Sequence, residues 1–179
     1  MSIYKDSELL IELQDHEWPL EFTDHDRQIV RAVVYDDKGY LYFVRVHRND
    51  IFGMAELIET SGGGVEENED FLSAIRRELK EELGADVEVI TKIGVVSDYY
   101  NLIHRHNINN YYLCKVSSFG QKHLTQDEIN DFHLSTLRLT YEEAVSEYIK
   151  CKSSMLGRLI ANRELPVLKK AKEILNIIR

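Results

Sequence analysis

The chain has 179 residues and is 44% hydrophobic, a length and composition that fit one domain able to bury about 70% of its unfolded surface. Its formal net charge of −9 opposes non-specific binding to nucleic acid, which is itself a polyanion. The sequence contains neither a signal-peptide pattern nor an apolar run long enough to cross a membrane. Cys114 and Cys151 have no metal-type spacing, so we expect reduced packing residues in a cytoplasmic protein.

The first 25 residues carry the weakest structural signals in the chain. Partial alternation of apolar and polar residues over positions 3–13 suggests an edge strand, and positions 17–20 suggest a turn. We therefore expect a single domain over residues 1–179, in which residues 1–25 are an N-terminal extension or edge strand. That segment would shape a substrate pocket or a dimer contact.

The rest of the chain alternates between β-type and helical patterns. A hairpin is predicted around Asp36 and Gly39, because β-branched and aromatic runs flank this turn sequence. Strands are predicted at 28–35, 40–46, 54–60, 86–96, 108–116 and 132–139, and helices at 71–83, 141–150 and from Pro166 to the C-terminus. This order predicts an α+β fold, an α/β/α sandwich with a mixed sheet between helical layers.

The predicted helix at 71–83 has an unusual arrangement of charge. Good helix formers dominate it, and Gly84 follows as a left-handed terminator. One apolar stripe is predicted to consist of Leu72, Ile75, Leu79 and Leu83. A flank beside that stripe carries three carboxylates within about 100° of arc, namely those of Glu78, Glu81 and Glu82.

Like charges one helical turn apart are unfavourable unless a cation lies among them. Oxygen ligands in a shallow cluster suit Mg²⁺ or Mn²⁺, and such ions share their remaining ligand positions with substrate phosphates. The acidic flank therefore indicates metal-assisted phosphate chemistry. The alternative is an ordinary solvated helix surface.

The flanking residues complete a longer pattern, G-x5-E-x7-R-E-L-x-E-E-x-G. Seven fixed matches at such spacings arise by chance about once in 10⁸ windows. The pattern resembles the signature of the Nudix (MutT-like) hydrolases, and the matching residues are Gly63, Glu69, Arg77, Glu78, Glu81, Glu82 and Gly84, with Leu79 at the aliphatic position. Two residues depart from the usual family pattern: Ser61 stands where a proline is common, and Asn68 where a glycine is common.

The resemblance implies roles for the charged residues. Arg77 would hold a catalytic glutamate in its working rotamer, and Glu69 would assist from the loop. The metal, Mg²⁺ or alternatively Mn²⁺, would be bound by Glu78, Glu81 and Glu82. Without the family, the i,i+4 spacing of Arg77 and Glu81 is equally that of a surface salt bridge.

The candidate substrate-binding residues are Gly62, Gly63 and Arg45. The glycines allow the backbone to approach a ligand closely, and Arg45 would clamp a phosphate, unless it is an ordinary exposed arginine.

Other residues carry weaker signals that leave two interpretations open. Glu128 would enter the site as a base from a loop, or else lie on the surface. Tyrosines in the later strands would stack on a base, or else pack in the sheet; they are Tyr99, Tyr100, Tyr111 and Tyr112. His104 and His106 lack the companions of a zinc site.

We therefore expect a Mg²⁺-dependent Nudix hydrolase that cleaves a phosphoanhydride bond in nucleoside diphosphate derivatives, with nucleoside triphosphates or related nucleotides as substrates. Its partner would be a small nucleotide or other diphosphate, with no nucleic acid and no membrane, and a homodimer stays open. Two alternatives remain: a non-catalytic nucleotide-binding sensor on the same fold, and a hydrolase of a non-nucleotide pyrophosphate. The chain has no counterpart of the downstream proline of ADP-ribose-cleaving relatives.

Overall fold

The computed structural model describes residues 8–178, and one mixed sheet dominates this part of the chain. Its strands follow the order β1-β6-β7-β2-β3-β4, with β5 paired to β2 and β8 paired to β3. The strands are β1 Leu9–Leu13, β2 His25–Tyr35, β3 Leu41–Asp50, β4 Gly53–Glu59, β5 Ser61–Gly64, β6 Ala85–Tyr100, β7 Arg105–Phe119 and β8 Ser135–Leu139. The pairs β1–β6 and β2–β7 are parallel, whereas the other pairs are antiparallel.

Helices cover both faces of this sheet, as the α+β prediction requires. They are α1 Phe71–Leu83, α2 Gln126–Asn130, α3 Tyr141–Cys151 and α4 Met155–Ile178. Alternate residues of each strand point to opposite faces: Val30 and Val44 pack with α1, whereas Val33 and Phe43 pack with α3 and α4. We call these sides the α1 face and the α4 face. The α+β fold is confirmed.

Local signals placed most elements correctly. The β2–β3 hairpin is confirmed, and Asp36 stabilises it by accepting hydrogen bonds from the backbone N–H groups of Lys38 and Tyr40 at 2.9 and 3.0 Å. The predicted helix at 141–150 is also present as α3, and it begins with a capping box in which Thr140 and Glu143 satisfy each other's backbone donors. The last strand begins at Ser135, three residues later than predicted.

The start of the C-terminal helix was predicted wrongly. Helix α4 begins at Met155, and Pro166 lies inside it. An internal proline removes one helical hydrogen bond and costs about 3 kcal/mol. The helix continues through it because residues before the proline are buried against the sheet, among them Leu156 and Ile160; this tertiary burial outweighs the local preference.

At its N-terminal side, the described chain begins close to the edge of the sheet. Strand β1 forms that edge by pairing in parallel with β6. Asp15 then accepts hydrogen bonds from the backbone N–H groups of Glu17 and Trp18, which gives the predicted turn. Positions 3–7 of the predicted edge strand lie outside the described residues. Between residues 8 and 178, no helix is long and apolar enough to span a membrane.

Candidate active site

Helix α1 carries the acidic residues and ends as its sequence predicts. Asp70 caps its first turn by accepting from Ser73 N at 2.9 Å. Gly84 ends it with φ of 66°, a left-handed conformation, and donates to the carbonyls of Leu79 and Lys80. The site residues on α1 therefore belong to one rigid, capped helix.

The buried side of α1 differs from the predicted stripe. Leu72 is 42% exposed, whereas Ala74 is fully buried. The buried arc consists of two neighbouring rows, Ala74-Glu78-Glu82 and Ile75-Leu79-Leu83. Glu78 and Glu82 therefore face the protein and not the solvent, which excludes the alternative of an ordinary solvated helix surface for these two residues.

Glu82 lies beneath strand β5 and is only 8% exposed. Its Oε2 accepts hydrogen bonds from Ser61 Oγ and from Gly62 N, the latter at 3.1 Å. Burial raises the pKa of Glu82 to about 8, and the negative charge of Glu78 adds to this shift. Ser61, a departure from the family pattern, therefore supplies a hydroxyl donor that a proline could not.

Glu78 lies against the neighbouring glycine. A Cβ atom at Gly63 would lie 2.6 Å from the Glu78 carboxylate, so only glycine fits there without displacing it. Burial raises the pKa of Glu78, although Arg77 opposes the shift. The predicted glycines, Gly62 and Gly63, thus contact the two buried glutamates directly.

Arg77 links the loop glutamate to the helix glutamates. Its Nε and Nη2 donate to both carboxylate oxygens of Glu69 at 2.8 Å. Its Nη1 lies 2.6 Å from Glu78 Oε1 and 3.3 Å from Glu81 Oε2, and Nη2 also donates to Gly64 O at 3.1 Å. The i,i+4 pair with Glu81 is thus one contact among several, and Arg77 holds the loop and the helix together.

Glu69 is committed to Arg77. The hydrogen bond from Arg77 lowers the pKa of Glu69 to about 2, and its Oε2 also accepts from Glu66 N at 3.0 Å. A carboxylate with so low a pKa is a poor proton acceptor at neutral pH. The arrangement gives Glu69 a structural part, that of orienting Arg77.

The donor set fits a hard divalent cation. Within residues 8–178 no three His, Cys, Asp or Glu side chains already converge as a metal site, since Arg77 draws Glu78 and Glu81 toward itself. Glu78 and Glu82 are nevertheless adjacent buried carboxylates, and desolvation raises the pKa of each. A cation would relieve their repulsion, and Glu81, whose side chain is 40% exposed, supplies a third oxygen donor beside them. Carboxylate ligands are those that Mg²⁺ and Mn²⁺ prefer.

Arg45 is not brought to this cluster. It lies on the α4 face of β3, where its guanidinium contacts Glu56 and lies 3.7 Å from Glu147 on α3. Both partners are carboxylates on the side of the sheet away from α1. Its placement therefore gives no support to a phosphate clamp at the glutamates.

The tyrosines and histidines have separate structural contacts. Tyr111 and Tyr112 are buried, and Tyr111 donates to Glu164 at 2.9 Å. Tyr99 stacks on His106 with ring centroids 4.4 Å apart, and His104 stacks on Phe22. These contacts favour the packing interpretation for Tyr111 and Tyr112.

Glu128 lies near the site but is engaged locally. Its negative charge helps to raise the pKa of Glu78. Its carboxylate, however, accepts from Thr125 N at 2.6 Å in the capping box of α2. The structure therefore places it beside the cluster without a direct contact to it.

Sequence reasoning missed a buried charge network on the α4 face. Arg163, 1% exposed, lies 3.2 Å from Asp98 and 3.0 Å from Glu164. Thr60 Oγ1 donates to Glu164 at 2.9 Å, which ties the residue before β5 to α4. Arg163 and Glu164 precede Pro166, where the helix was predicted to begin, and no local pattern reveals that these charges are buried.

Two further arginines near the glycines were also missed. The guanidinium of Arg27 lies against Gly64, where an added Cβ would be 2.9 Å from Nη2. Arg105 lies beside it on β7, since the positive charge of Arg27 acts on its pKa. They belong to strands 78 positions apart in the sequence, so no local pattern could have associated them.

Comparisons with known proteins agree with this architecture. A family model described as the NUDIX domain matches residues 25–150. The fold is similar to that of a MutT NUDIX hydrolase from Burkholderia pseudomallei, with 22% identity and a TM-score of 0.55, covering 66% of this chain and 86% of that one. It is also similar to the MutT protein from Methanosarcina mazei Go1, with 16% identity and a TM-score of 0.58, covering 87% and 97%.

A NUDIX hydrolase from Nitrosomonas europaea is similar at 17% identity and a TM-score of 0.57, covering 69% of this chain and 78% of that one. No curated protein matches the chain significantly. The structural similarities, all below 25% identity, establish the fold. The family model, which matches residues 25–150, establishes the family. The chain belongs to the NUDIX family and is a hydrolase of the class that acts on nucleoside diphosphate derivatives.

Proposed function

We propose that the protein is a Mg²⁺-dependent hydrolase that cleaves a phosphoanhydride bond in nucleoside triphosphates or related nucleotides. One observation carries this proposal: Glu78 and Glu82 are buried side by side beneath a glycine strand, and burial raises the pKa of both. Two desolvated carboxylates side by side are costly without a cation. The arrangement is suited to holding a metal and the phosphates that share it.

In this proposal Glu78, Glu81 and Glu82 hold the metal, with Mn²⁺ as a substitute for Mg²⁺. A cation held there would supply polarisation of the phosphoryl group and activation of water. Gly63 keeps the space above Glu78 free of a side chain, so that phosphates can approach. Arg77 holds Glu78 and Glu81 in place through its Nη1, and Glu69 fixes Arg77 from the loop.

A sensor without turnover is the weaker reading. Such a protein would not need the full set of charged residues. Here Arg77 donates to both Glu69 and Glu78, and Glu82 lies beside Glu78. A non-nucleotide pyrophosphate would keep the same chemistry and change only the partner.

The remaining parts of the proposal concern organisation. We take residues 1–179 as one domain, because the α1 face and the α4 face belong to a single sheet. Both cysteines are free and buried, which fits a reducing, cytoplasmic compartment.

The test is turnover of a substrate panel with Mg²⁺ or Mn²⁺. The panel contains nucleoside triphosphates, nucleotide sugars, ADP-ribose, dinucleoside polyphosphates and an isoprenoid diphosphate. Glu82→Gln should abolish turnover while the fold is retained, and Glu88→Gln, which alters an exposed glutamate on β6, should leave turnover unchanged. Metal-independent turnover, or a fully active Glu82→Gln variant, would overturn the proposal; binding without turnover across the panel would favour the sensor.

A further inference from the structure

Strand β5 separates two oppositely charged clusters. Consecutive residues of a strand point to opposite faces, so Gly63 faces the carboxylate of Glu78 and Gly64 faces the guanidinium of Arg27. The carboxylates lie on the α1 face, and Arg27 lies on the α4 face. A ligand at the glycines is therefore within reach of both a metal site and a cationic group.

Arg27 is one member of a polar row on the α4 face. Strands β2 and β7 are parallel neighbours, with His25 opposite Arg105 and Arg27 opposite Asn107. The side chains of Arg27, Arg105 and Asn107 thus point to the same face at the same end of the sheet. The register of β2 and β7 therefore brings these three side chains together.

These side chains have few partners of their own. Within residues 8–178, neither Arg27 nor Arg105 has an ion pair with a carboxylate, whereas the other strand arginines are paired with carboxylates: Arg31, Arg45, Arg48 and Arg138. Arg105 Nε and Asn107 Oδ1 are buried without a hydrogen-bond partner in the same part of the chain. Arg105 Nε is a donor that an anion would satisfy, whereas the unpaired atom of Asn107, which is 1% exposed, is an acceptor that calls for a donor such as a ligand hydroxyl.

The local charge is also unusual for this protein. Partial burial lowers the pKa of Arg27 and of Arg105, and positive neighbours lower both further: Arg31 for Arg27, and Arg27 with Arg48 for Arg105. Glu78 opposes the shift of Arg27, and Tyr100 and Asp98 oppose that of Arg105. Adjacent cations without carboxylate partners repel each other, and an anion between them would remove that cost. In a chain with a net charge of −9, this row is a focused positive site beside an acidic one.

We propose that Arg27 and Arg105 bind an anionic group of the substrate that lies beyond the metal-held diphosphate. This inference rests on the proposed function and names its substrate class. The enzyme selects nucleotides with a third anionic group, such as nucleoside triphosphates. It disfavours nucleoside diphosphates that carry an uncharged group, such as a sugar, on the second phosphate. Arginine suits this part because its planar donors match phosphate oxygens in pairs.

The first test compares ATP with ADP-glucose, which has two phosphates and an uncharged sugar. The wild type should have at least a tenfold higher kcat/KM for ATP. Arg27→Gln and Arg105→Gln should each reduce this preference at least tenfold, mainly by raising KM for ATP. Arg27→Lys should retain part of the preference, since it keeps the charge but loses the paired donors.

The matched control is Arg76→Gln on α1, which removes an exposed arginine that has no ion pair among residues 8–178 and should leave the preference unchanged. An unchanged preference in both Arg27→Gln and Arg105→Gln, with folding confirmed by circular dichroism, would overturn the inference.

A second test does not depend on turnover. Calorimetry with inorganic tripolyphosphate, in EDTA to remove divalent metal, should detect binding to the wild type and to Arg76→Gln. The affinity should fall at least tenfold in Arg27→Gln and in Arg105→Gln. No binding to the wild type, or equal binding to all variants, would refute the anion site. If no substrate in the panel is turned over, the proposed function fails, and the tripolyphosphate result still decides on the anion site by itself.

Discussion

Glu82 couples the site to the stability of the whole fold. Its carboxylate is buried, and burial raises its pKa to about 8 from an ordinary value of 4.5. Only Ser61 and Gly62 donate hydrogen bonds to it in the described chain. The ionised form is therefore accommodated in the folded state at a cost, which a bound cation would reduce.

The first prediction concerns the pH dependence of stability without metal. Because the folded-state pKa of Glu82 lies above its unfolded value, the folded protein binds this proton more tightly. The stabilisation that this proton gives to the fold is present in full below about pH 4.5, and it is lost as the pH rises through about 8. Glu82→Gln carries no charge, so above pH 8 it should be more stable than the wild type, on the order of a few kcal/mol.

Urea unfolding in EDTA at pH 6 and pH 9 measures this effect. Glu69→Gln is the opposite control, because Arg77 lowers the pKa of Glu69 to about 2; this variant should lose stability at both pH values. Equal pH dependence in the wild type and in Glu82→Gln would show that Glu82 ionises without cost.

The second prediction separates two adjacent glycines. At Gly63 the atoms nearest to an added Cβ are those of the carboxylate at the end of the flexible Glu78 side chain. Gly63→Ala should therefore fold with a loss of about 1 kcal/mol or less, but should reduce kcat at least tenfold because Glu78 is displaced. At Gly62, with φ of 155°, a Cβ would lie 2.1 Å from the backbone oxygen of Val30, so Gly62→Ala should disturb the β2–β5 pairing and cost more stability. Thermal unfolding and single-substrate kinetics check both; a fully active Gly63→Ala would contradict the first.

At the scale of elements, helix α4 shows how tertiary packing overrides a local signal. Pro166 lies well inside it, where the N–H that would bond to the carbonyl four residues earlier is missing. The buried residues on both sides of the proline, such as Ile160 and Val167, pack against the same sheet face. The helix therefore continues where its sequence predicts a start.

The third prediction follows from that conflict. Pro166→Ala should restore the missing hydrogen bond and raise the free energy of unfolding by about 1–3 kcal/mol. The gain is less than the full cost of the proline because alanine gives the unfolded chain more conformational entropy. Urea unfolding checks this. A loss of stability would indicate that the proline bends α4 to fit the sheet, and that a straight helix fits worse.

The sequence was sufficient for features that depend on neighbouring residues. Three such features depend only on residues close together in the sequence: the cap Gly84, the β2–β3 hairpin and the acidic flank of α1. The burial of Glu78 and Glu82, and the exposure of Leu72, depend on how far α1 rotates against the sheet. Propensity and periodicity do not determine that rotation.

The residues that were missed depend on long-range pairing. Arg27 and Arg105 become neighbours only through the parallel register of β2 and β7. Arg45 was a candidate either for a phosphate clamp or for an ordinary exposed arginine, and the alternation of β3 places it on the α4 face. A face assignment needs the pairing of every strand, and a single sequence does not supply it.

At the scale of the whole molecule, charge is divided between the two sides of the glycine strand. Glu78 and Glu82 lie on the α1 face, and Arg27 and Arg105 lie on the α4 face. Behind the arginines, the network around Arg163 and Glu164 joins α4 to Thr60, the residue before β5. The position of the glycines therefore depends on a buried polar network as well as on apolar packing.

The fourth prediction tests that dependence with two arginines of the same helix. Arg163→Met should destabilise the fold by about 3–5 kcal/mol, because it leaves Asp98 and Glu164 buried without their partner. Arg158→Met removes the partly exposed pair with Glu17 and should cost about 1 kcal/mol. If the network also positions β5, Arg163→Met should lower kcat in the folded fraction at low temperature, whereas Arg158→Met should not. Urea unfolding and kinetics at 10 °C measure both effects. Equal losses in the two variants would mean that the buried network carries no more stability than a surface ion pair, and that the glycine strand is held by apolar packing alone.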